Sequence, residues 1–231
     1  SGSGLLNTTP KPLKILRQRE KTPEQLEQIR NMNFSLRLPL YVFTLFMLPV
    51  FFWLLRKLFN EQIANLAIIF IGLSPLILGI SLIINPDSLL WIFLPLAILS
   101  YFVFQKEESK KYLYLSGVFV GLSLLTKYVA NILYVYLFIL PFLDYIFFHA
   151  KKVDLTQYLK KSFLNYIILA FFSILTFFVL FPATWVKPEL LLEGTFLSPA
   201  FKSTWPIFAT LIGTIVLDMA LLKNKILGKI L

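Results

Sequence analysis

Along the chain, apolar residues do not alternate with polar ones; from Leu38 onward they come in runs about twenty long, parted by short patches that hold most of the charges. A helix rising 1.5 Å per residue needs about 20 residues to cross a hydrocarbon core about 30 Å thick. Barrel strands would show about ten residues of alternating character instead. The pattern therefore predicts an all-α polytopic membrane helix bundle with about seven spans, at 38–57, 63–84, 88–105, 111–127, 129–148, 163–182 and 205–222. Pro75 and Gly79 interrupt the second, and a broken membrane helix must have its freed backbone groups satisfied. That segment is expected to face the protein interior.

Ahead of these runs the pattern is different. Residues 1–10 are rich in Gly, Ser and Thr, and Thr22, Pro23, Glu24 and Gln25 form a helix start with a cap and a proline at the first helical position. Leu26, Ile29, Asn33 and Leu36 then give only a narrow apolar strip, which suits a short helix lying at the interface or serving as a connector. The expected division is a flexible and interfacial segment over 1–36, on the outer side, and a transmembrane helical domain over 37–231. Between spans only one connection is long, "FPATWVKPELLLEGTFLSPAFKSTW" at 181–205, which can form a partial lid.

Composition strengthens the membrane reading: the chain is 58% apolar and 15% charged, whereas soluble domains sit near 45–50% and about 25%. Charge adds an orientation. One set of alternate connections holds twelve cations, namely Arg56, Lys57, Lys106, Lys110, Lys111, Lys151, Lys152, Lys160, Lys161, Lys223, Lys225 and Lys229; the opposite set holds Lys127, Lys187 and Lys202. The first set is expected to be cytoplasmic. The seven cations of the N-terminal 37 residues fall on the other side and run against the bias. The net charge of +10 follows from the loop bias, and with no cation–aromatic surface or recognisable module, nucleic acid is excluded as a partner. Absence of cysteine removes disulfide and thiol chemistry.

Most polar residues have a structural explanation. Trp53, Trp91, Trp185 and Trp205 sit where interfacial rings settle. His149, beside Lys151 and Lys152, lacks carboxylate partners nearby, and Asp144 and Asp218 lie near inner span ends where pairing with cations costs little. Two residues stand out at outer span ends. Asp87, in "SLIINPDSLL", follows Asn85 and Pro86, where a carboxylate either simply caps a helix start or takes part in a site. Lys127 ends a span whose Gly117 and Gly121 allow close helix packing, and its ammonium at the rim of a bundle suits a phosphate. These residues define an outer-face site for an anionic or metal-bound ligand. They name no reaction.

The succession "FNEQIANLAIIFIGLSPLILGISLIINPDSLLWIFLPLAILSYFVF", "KKYLYLSGVFVGLSLLTKY" and "LFPATWVKPELLL" resembles the core of GT-C type glycosyltransferases that use polyprenyl- or dolichyl-phosphate sugars, among them protein O-mannosyltransferases and aminoarabinose transferases. The similarity covers roughly residues 37–190. It implies a lipid-phosphate sugar donor in the outer leaflet of a bacterial or archaeal plasma membrane and inverting transfer to a hydroxyl of a protein, lipid or glycan. In that family a carboxylate in the first outer loop is the base and cations hold the leaving phosphate. By resemblance, Asp87 is a supporting polar residue rather than the base, with a divalent cation as one cofactor it could hold. Lys127, Tyr128 and Arg37 match positions near the donor phosphate, and Asn85, Trp185 and Lys187 line the cavity. The family's first span and acidic loop should precede Arg37, yet Glu20, Glu24 and Glu27 are the only carboxylates there. The expectation is a fragment of a larger enzyme, inactive alone. A flippase of lipid-linked sugar would call for inverted repeats and broken helices, and a noncatalytic scaffold is the other alternative.

Overall fold

The computed structural model describes residues 22–82, 85–149, 153–195, 197–199 and 202–221. The N-terminal cations up to Lys21, and Lys151, Lys152, Lys223, Lys225 and Lys229, lie outside them. The described residues are helical, and four helices are long and apolar enough to cross a membrane, with shorter apolar helices beside them. The protein is a multi-pass integral membrane protein. Its chain forms two compact units, Ser1–Leu89 and Leu90–Leu231.

In the first unit, α1 (Pro23–Leu58) starts at a complete capping box: the Thr22 hydroxyl accepts from the Gln25 N–H at 3.3 Å, and the Gln25 side chain accepts from the Thr22 N–H at 3.1 Å. Sequence reading stops a short helix before Leu38; in the structure α1 continues unbroken through Pro39 and Pro49. Thirty-six residues make a rod roughly 54 Å long, against about 30 Å of hydrocarbon. Its polar first turns therefore extend a span rather than forming a separate element. α2 (Glu61–Leu73) begins at Asn60, whose side chain accepts from the Ile63 N–H at 2.8 Å, and packs back on α1 around the buried Phe51, Leu54 and Ala64.

The expected second span is two helices, α2 and α3 (Pro75–Leu82), because Ser74 takes the extended backbone that a following proline imposes. The structure corrects the expectation that this segment faces inward: Phe70, Leu73 and Leu76 are exposed, and nothing approaches the Gly79 Cβ position. Ser74 supplies the reason. Its carbonyl accepts from the Leu78 N–H at 2.9 Å, so the break restarts a helix locally and needs no neighbour.

The second unit carries α4 (Asp87–Glu107) from beyond its first residues, then α5 (Lys110–Thr126), a 3-10 turn (Tyr128–Asn131), α6 (Ile132–Asp144), a π turn (Tyr145–His149) and α7 (Leu155–Leu180). Two short helices, α8 (Ala183–Val186) and α9 (Glu189–Gly194), precede α10 (Trp205–Leu221). Its core is the α5–α7 pair. A Cβ on Gly117 would lie 2.7 Å from the Leu169 carbonyl oxygen, and one on Gly121 2.5 Å from that of Ser173. The two backbones touch where only glycine fits. Because 117 meets 169 and 121 meets 173, α5 and α7 run parallel.

Partner pairs fix the other directions. Phe93 stacks near Phe119, the Ser116 hydroxyl donates to the Ala97 carbonyl at 2.8 Å, and Lys110 lies over Phe104, so α4 opposes α5. Tyr134 bonds Ser173, Phe138 meets Tyr166 and Asp144 meets Tyr158, so α6 opposes α7. Phe208 of α10 sits edge-on to Phe138 at 5.4 Å. Strict alternation collects Lys106, Lys110, Lys111, Lys160 and Lys161 at one end of this unit. Lys127 and Lys187 lie at the other, the loop end.

Candidate functional site

At the loop end, α5 stops at Thr126 because Lys127 turns extended, with φ −155° and ψ 137°, while its N–H still closes the helix on the Ser123 carbonyl. The Lys127 carbonyl accepts from the Ala130 N–H, which starts the 3-10 turn and leaves Lys127 and Tyr128 exposed at its head. The next polar residue is fully buried. Asn131 donates from Nδ2 to the Thr195 carbonyl at 3.0 Å and to the Ser198 hydroxyl at 2.9 Å. These bonds hold the turn carrying Lys127 and Tyr128 against the long connection after α7. Its Oδ1 is buried without a hydrogen-bond partner.

That connection is fastened to the end of α7 by its own polar side chains. Trp185 donates from Nε1 to the Phe178 carbonyl at 2.7 Å, and the Thr184 hydroxyl donates to the Phe181 carbonyl at 2.7 Å. Both acceptors belong to the last turn or cap of a helix, where carbonyls lack intrahelical donors. The indole face of Trp185 and the Lys187 side chain remain exposed. Gly194 lets α9 sit on the Phe177 ring, which a Cβ there would meet at 2.7 Å. Below the connection an apolar groove of about 480 Å³ runs between α6, α7 and α10, lined by Tyr134, Ile174, Leu197, Trp205 and Phe208.

Lys127, Tyr128, Trp185 and Lys187 are thus gathered at one end of the second unit. Arg37, Asn85 and Asp87 belong to the first. Arg37 lies on α1 in a shallow groove with Asn33 and Tyr41, its Nε buried without a hydrogen-bond partner. Asn85 acts as a turn cap: its Oδ1 accepts from the Asp87 N–H at 3.2 Å, and its carbonyl accepts from the Ser88 N–H at 3.0 Å. The buried Ser88 hydroxyl reaches back to the Ile80 carbonyl at 3.1 Å. Asp87 opens α4, where a carboxylate is favoured by the free N–H groups. Among the described residues no three His, Cys, Asp or Glu side chains converge as metal ligands do.

Sequence reading passed over Asn131, although an asparagine four residues after Lys127 in "TKYVANIL" is a polar group that an apolar setting obliges to find partners. It also passed over Tyr134, Tyr166 and Ser173. The Tyr134 and Ser173 hydroxyls lie 2.8 Å apart, and Tyr166 donates to the Tyr134 carbonyl at 3.1 Å. These bonds join α6 to α7 beside the apolar groove.

Comparison with curated proteins and with solved structures finds no match. Residues 27–180 match the model of the family described as dolichyl-phosphate-mannose-protein mannosyltransferase, which takes in α1 through α7 and the turn at Lys127. This chain belongs to the dolichyl-phosphate-mannose-protein mannosyltransferase family of membrane glycosyltransferases.

Proposed function

We propose that the loop end of the second unit holds the phosphate of a polyprenyl-phosphate sugar at the outer face of the membrane, for inverting transfer to an acceptor hydroxyl. The observation that carries this reading is the Asn131 clamp, because it sets an exposed lysine and tyrosine beside a long connection carrying Trp185 and Lys187. Lys127 is a compact cation on a flexible stem, suited to a phosphate monoester or diester. As the glycosidic bond breaks, negative charge grows on the leaving phosphate, so a cation already in place stabilises the transition state more than the ground state. Tyr128 adds a hydroxyl donor, Lys187 a second cation, and the Trp185 ring an interfacial surface for sugar or lipid.

The apolar groove between α6, α7 and α10 suits the isoprenoid tail, since it lies directly beneath the connection and is lined by aromatic and aliphatic side chains. Arg37, Asn85 and Asp87 are in the first unit, and their roles rest on the family resemblance alone: Arg37 near a donor phosphate, Asn85 lining a cavity, and Asp87 a supporting polar residue rather than the base. The Lys-rich end is assigned to the cytoplasm by the positive-inside bias. A protein hydroxyl is the acceptor to test first, with mannose as the sugar.

The experiment is transfer of radiolabelled sugar from a polyprenyl-phosphate donor by the intact enzyme in vesicles, comparing wild type with Lys127→Ala and Asp87→Asn. Both variants are expected to insert normally and to lose most product formation. Wild-type turnover in both would remove the site, and donor movement across the membrane without product would replace the transferase by a flippase.

A further inference from the structure

A second concave site lies at the opposite end of the second unit, where α4, α5, α6 and α7 come together. It is a cavity of about 330 Å³, within the roughly 300–1,000 Å³ typical of small-molecule pockets. Its lining is built from paired side chains. Lys110, at the first position of α5, bonds the buried Asn165 of α7; Asp144, at the end of α6, accepts from the Tyr158 hydroxyl; and Lys161 meets Glu108 at 3.1 Å on the rim. Tyr101, Phe104 and Pro141 supply apolar surface.

Two features select a ligand. The first is charge: among the described residues the lining holds two ammonium groups, Lys110 and Lys161, and two carboxylates, Asp144 and Glu108, so a simple ion of either sign meets like charge. A molecule carrying both charges a few ångströms apart finds a complement for each. The second is the neighbouring surface. Pro141 and Ser162 also line an apolar crevice continued by Phe138, Phe142, Leu159 and Ile215 between α6, α7 and α10. The crevice is small, about 20 Å³, so a chain lies along it rather than inside it; a polar chamber opening beside such an apolar surface, at the end of a membrane bundle, has the form of a headgroup site at the lipid face.

We propose that this cavity binds a zwitterionic aminophospholipid, its ammonium toward Asp144 and Glu108, its phosphate toward Lys110 and Lys161, and one acyl chain lying over the mouth of the crevice. The site is separate from the donor site and does not depend on the assignment of Lys127. Lipid bound there ties α4 and α5 to α6 and α7 at the end where Lys110–Asn165 and Asp144–Tyr158 already join α5 and α6 to α7.

The test uses the intact enzyme in mild detergent with equal phosphatidylethanolamine and phosphatidylglycerol, read by native mass spectrometry and by melting temperature. Wild type is expected to retain one phosphatidylethanolamine in preference. Lys110→Gln/Asp144→Asn is expected to weaken that preference about tenfold or more, the worth of a charge-assisted hydrogen bond. Ser162→Trp, which blocks the shared wall without altering charge, is expected to abolish retention; its melting temperature in lipid-free detergent reports whether the fold survives. Equal retention of the two lipids by wild type, or unchanged retention in both variants, overturns the proposal. Free phosphoethanolamine protecting as strongly as the lipid overturns the lipid assignment in favour of a soluble zwitterion.

Discussion

The two ends of the second unit use polar side chains in opposite ways. At the loop end, Asn131, Thr184 and Trp185 all bond to backbone carbonyls, so the polar groups are used to hold a shape, and the charged residues Lys127 and Lys187 stay exposed on it. At the Lys-rich end the charged side chains bond to other side chains, Lys110 to Asn165 and Lys161 to Glu108, and enclose a cavity. One end is a frame with exposed cations on its surface. The other is a chamber lined by charges of both signs. Buried polar groups need partners wherever they are; at one end those partners are mostly main chain, at the other they are side chains.

The contrast is sharpened most by exchanging charge at each end. Lys127→Ala is expected to lower sugar transfer by about 100-fold, the usual effect of removing one transition-state charge contact. Lys110→Gln should transfer at the wild-type rate. Comparable losses in the two variants would erase the distinction between the ends.

A change midway should damage both ends together. Gly121→Leu forces a side chain into the Ser173 carbonyl and the Thr176 Cβ, 2.5 and 2.7 Å from the Cβ position, and is expected to destabilise by roughly 3 kcal/mol, at the upper end of the overpacking range. The check is a thermal melt in detergent, and a wild-type midpoint would show that α5 and α7 are not in backbone contact.

Asn131→Ala should act at the loop end alone. Losing two bonds from a buried side chain is expected to cost about 1–3 kcal/mol and to raise hydrogen exchange at 189–198, while exchange around Asn165 stays as it was. The smallest effect belongs to Glu108, which stands in the turn between α4 and α5 at φ 53°. Glu108→Gly removes left-handed strain of about 1 kcal/mol and an exposed ion pair with Lys161 worth about 0–1 kcal/mol. The melting temperature in lipid-free detergent should therefore hold or rise slightly, and a large fall would mean that the pair contributes more to the fold than an exposed ion pair does.

Much of the fold is legible in the sequence because lipid leaves few choices. A twenty-residue apolar run must satisfy its backbone internally, so Leu155–Leu180 and Asp87–Glu107 read directly as helices. Gly117 and Gly121, one turn apart, foretold a close contact, although not that α7 would make it. The errors come from local signals that permit two outcomes. The narrow strip of Leu26, Ile29, Asn33 and Leu36 is compatible with a separate interfacial helix or with the polar start of a longer one, and α1 is the longer one. Pro75 did break its helix, but Ser74 satisfied the freed groups, so burial did not follow.

Hydrophobic run length, residue composition and the spacing of cations along one chain determined the helices, their alternation and the membrane setting, because each depends on residues within about 25 positions of one another. Tertiary structure alone decided the partners: Asn131 finds Thr195 and Ser198 more than sixty positions later, and Lys110 finds Asn165 fifty-five positions later. Hydrogen bonds are short-ranged and directional, so nothing in the one-dimensional order of an asparagine or a lysine says which distant group will stand within 3 Å of it. That choice was made by the glycine contact that set the register of α5 on α7, and it divided the polar residues into a frame at one end and a chamber at the other.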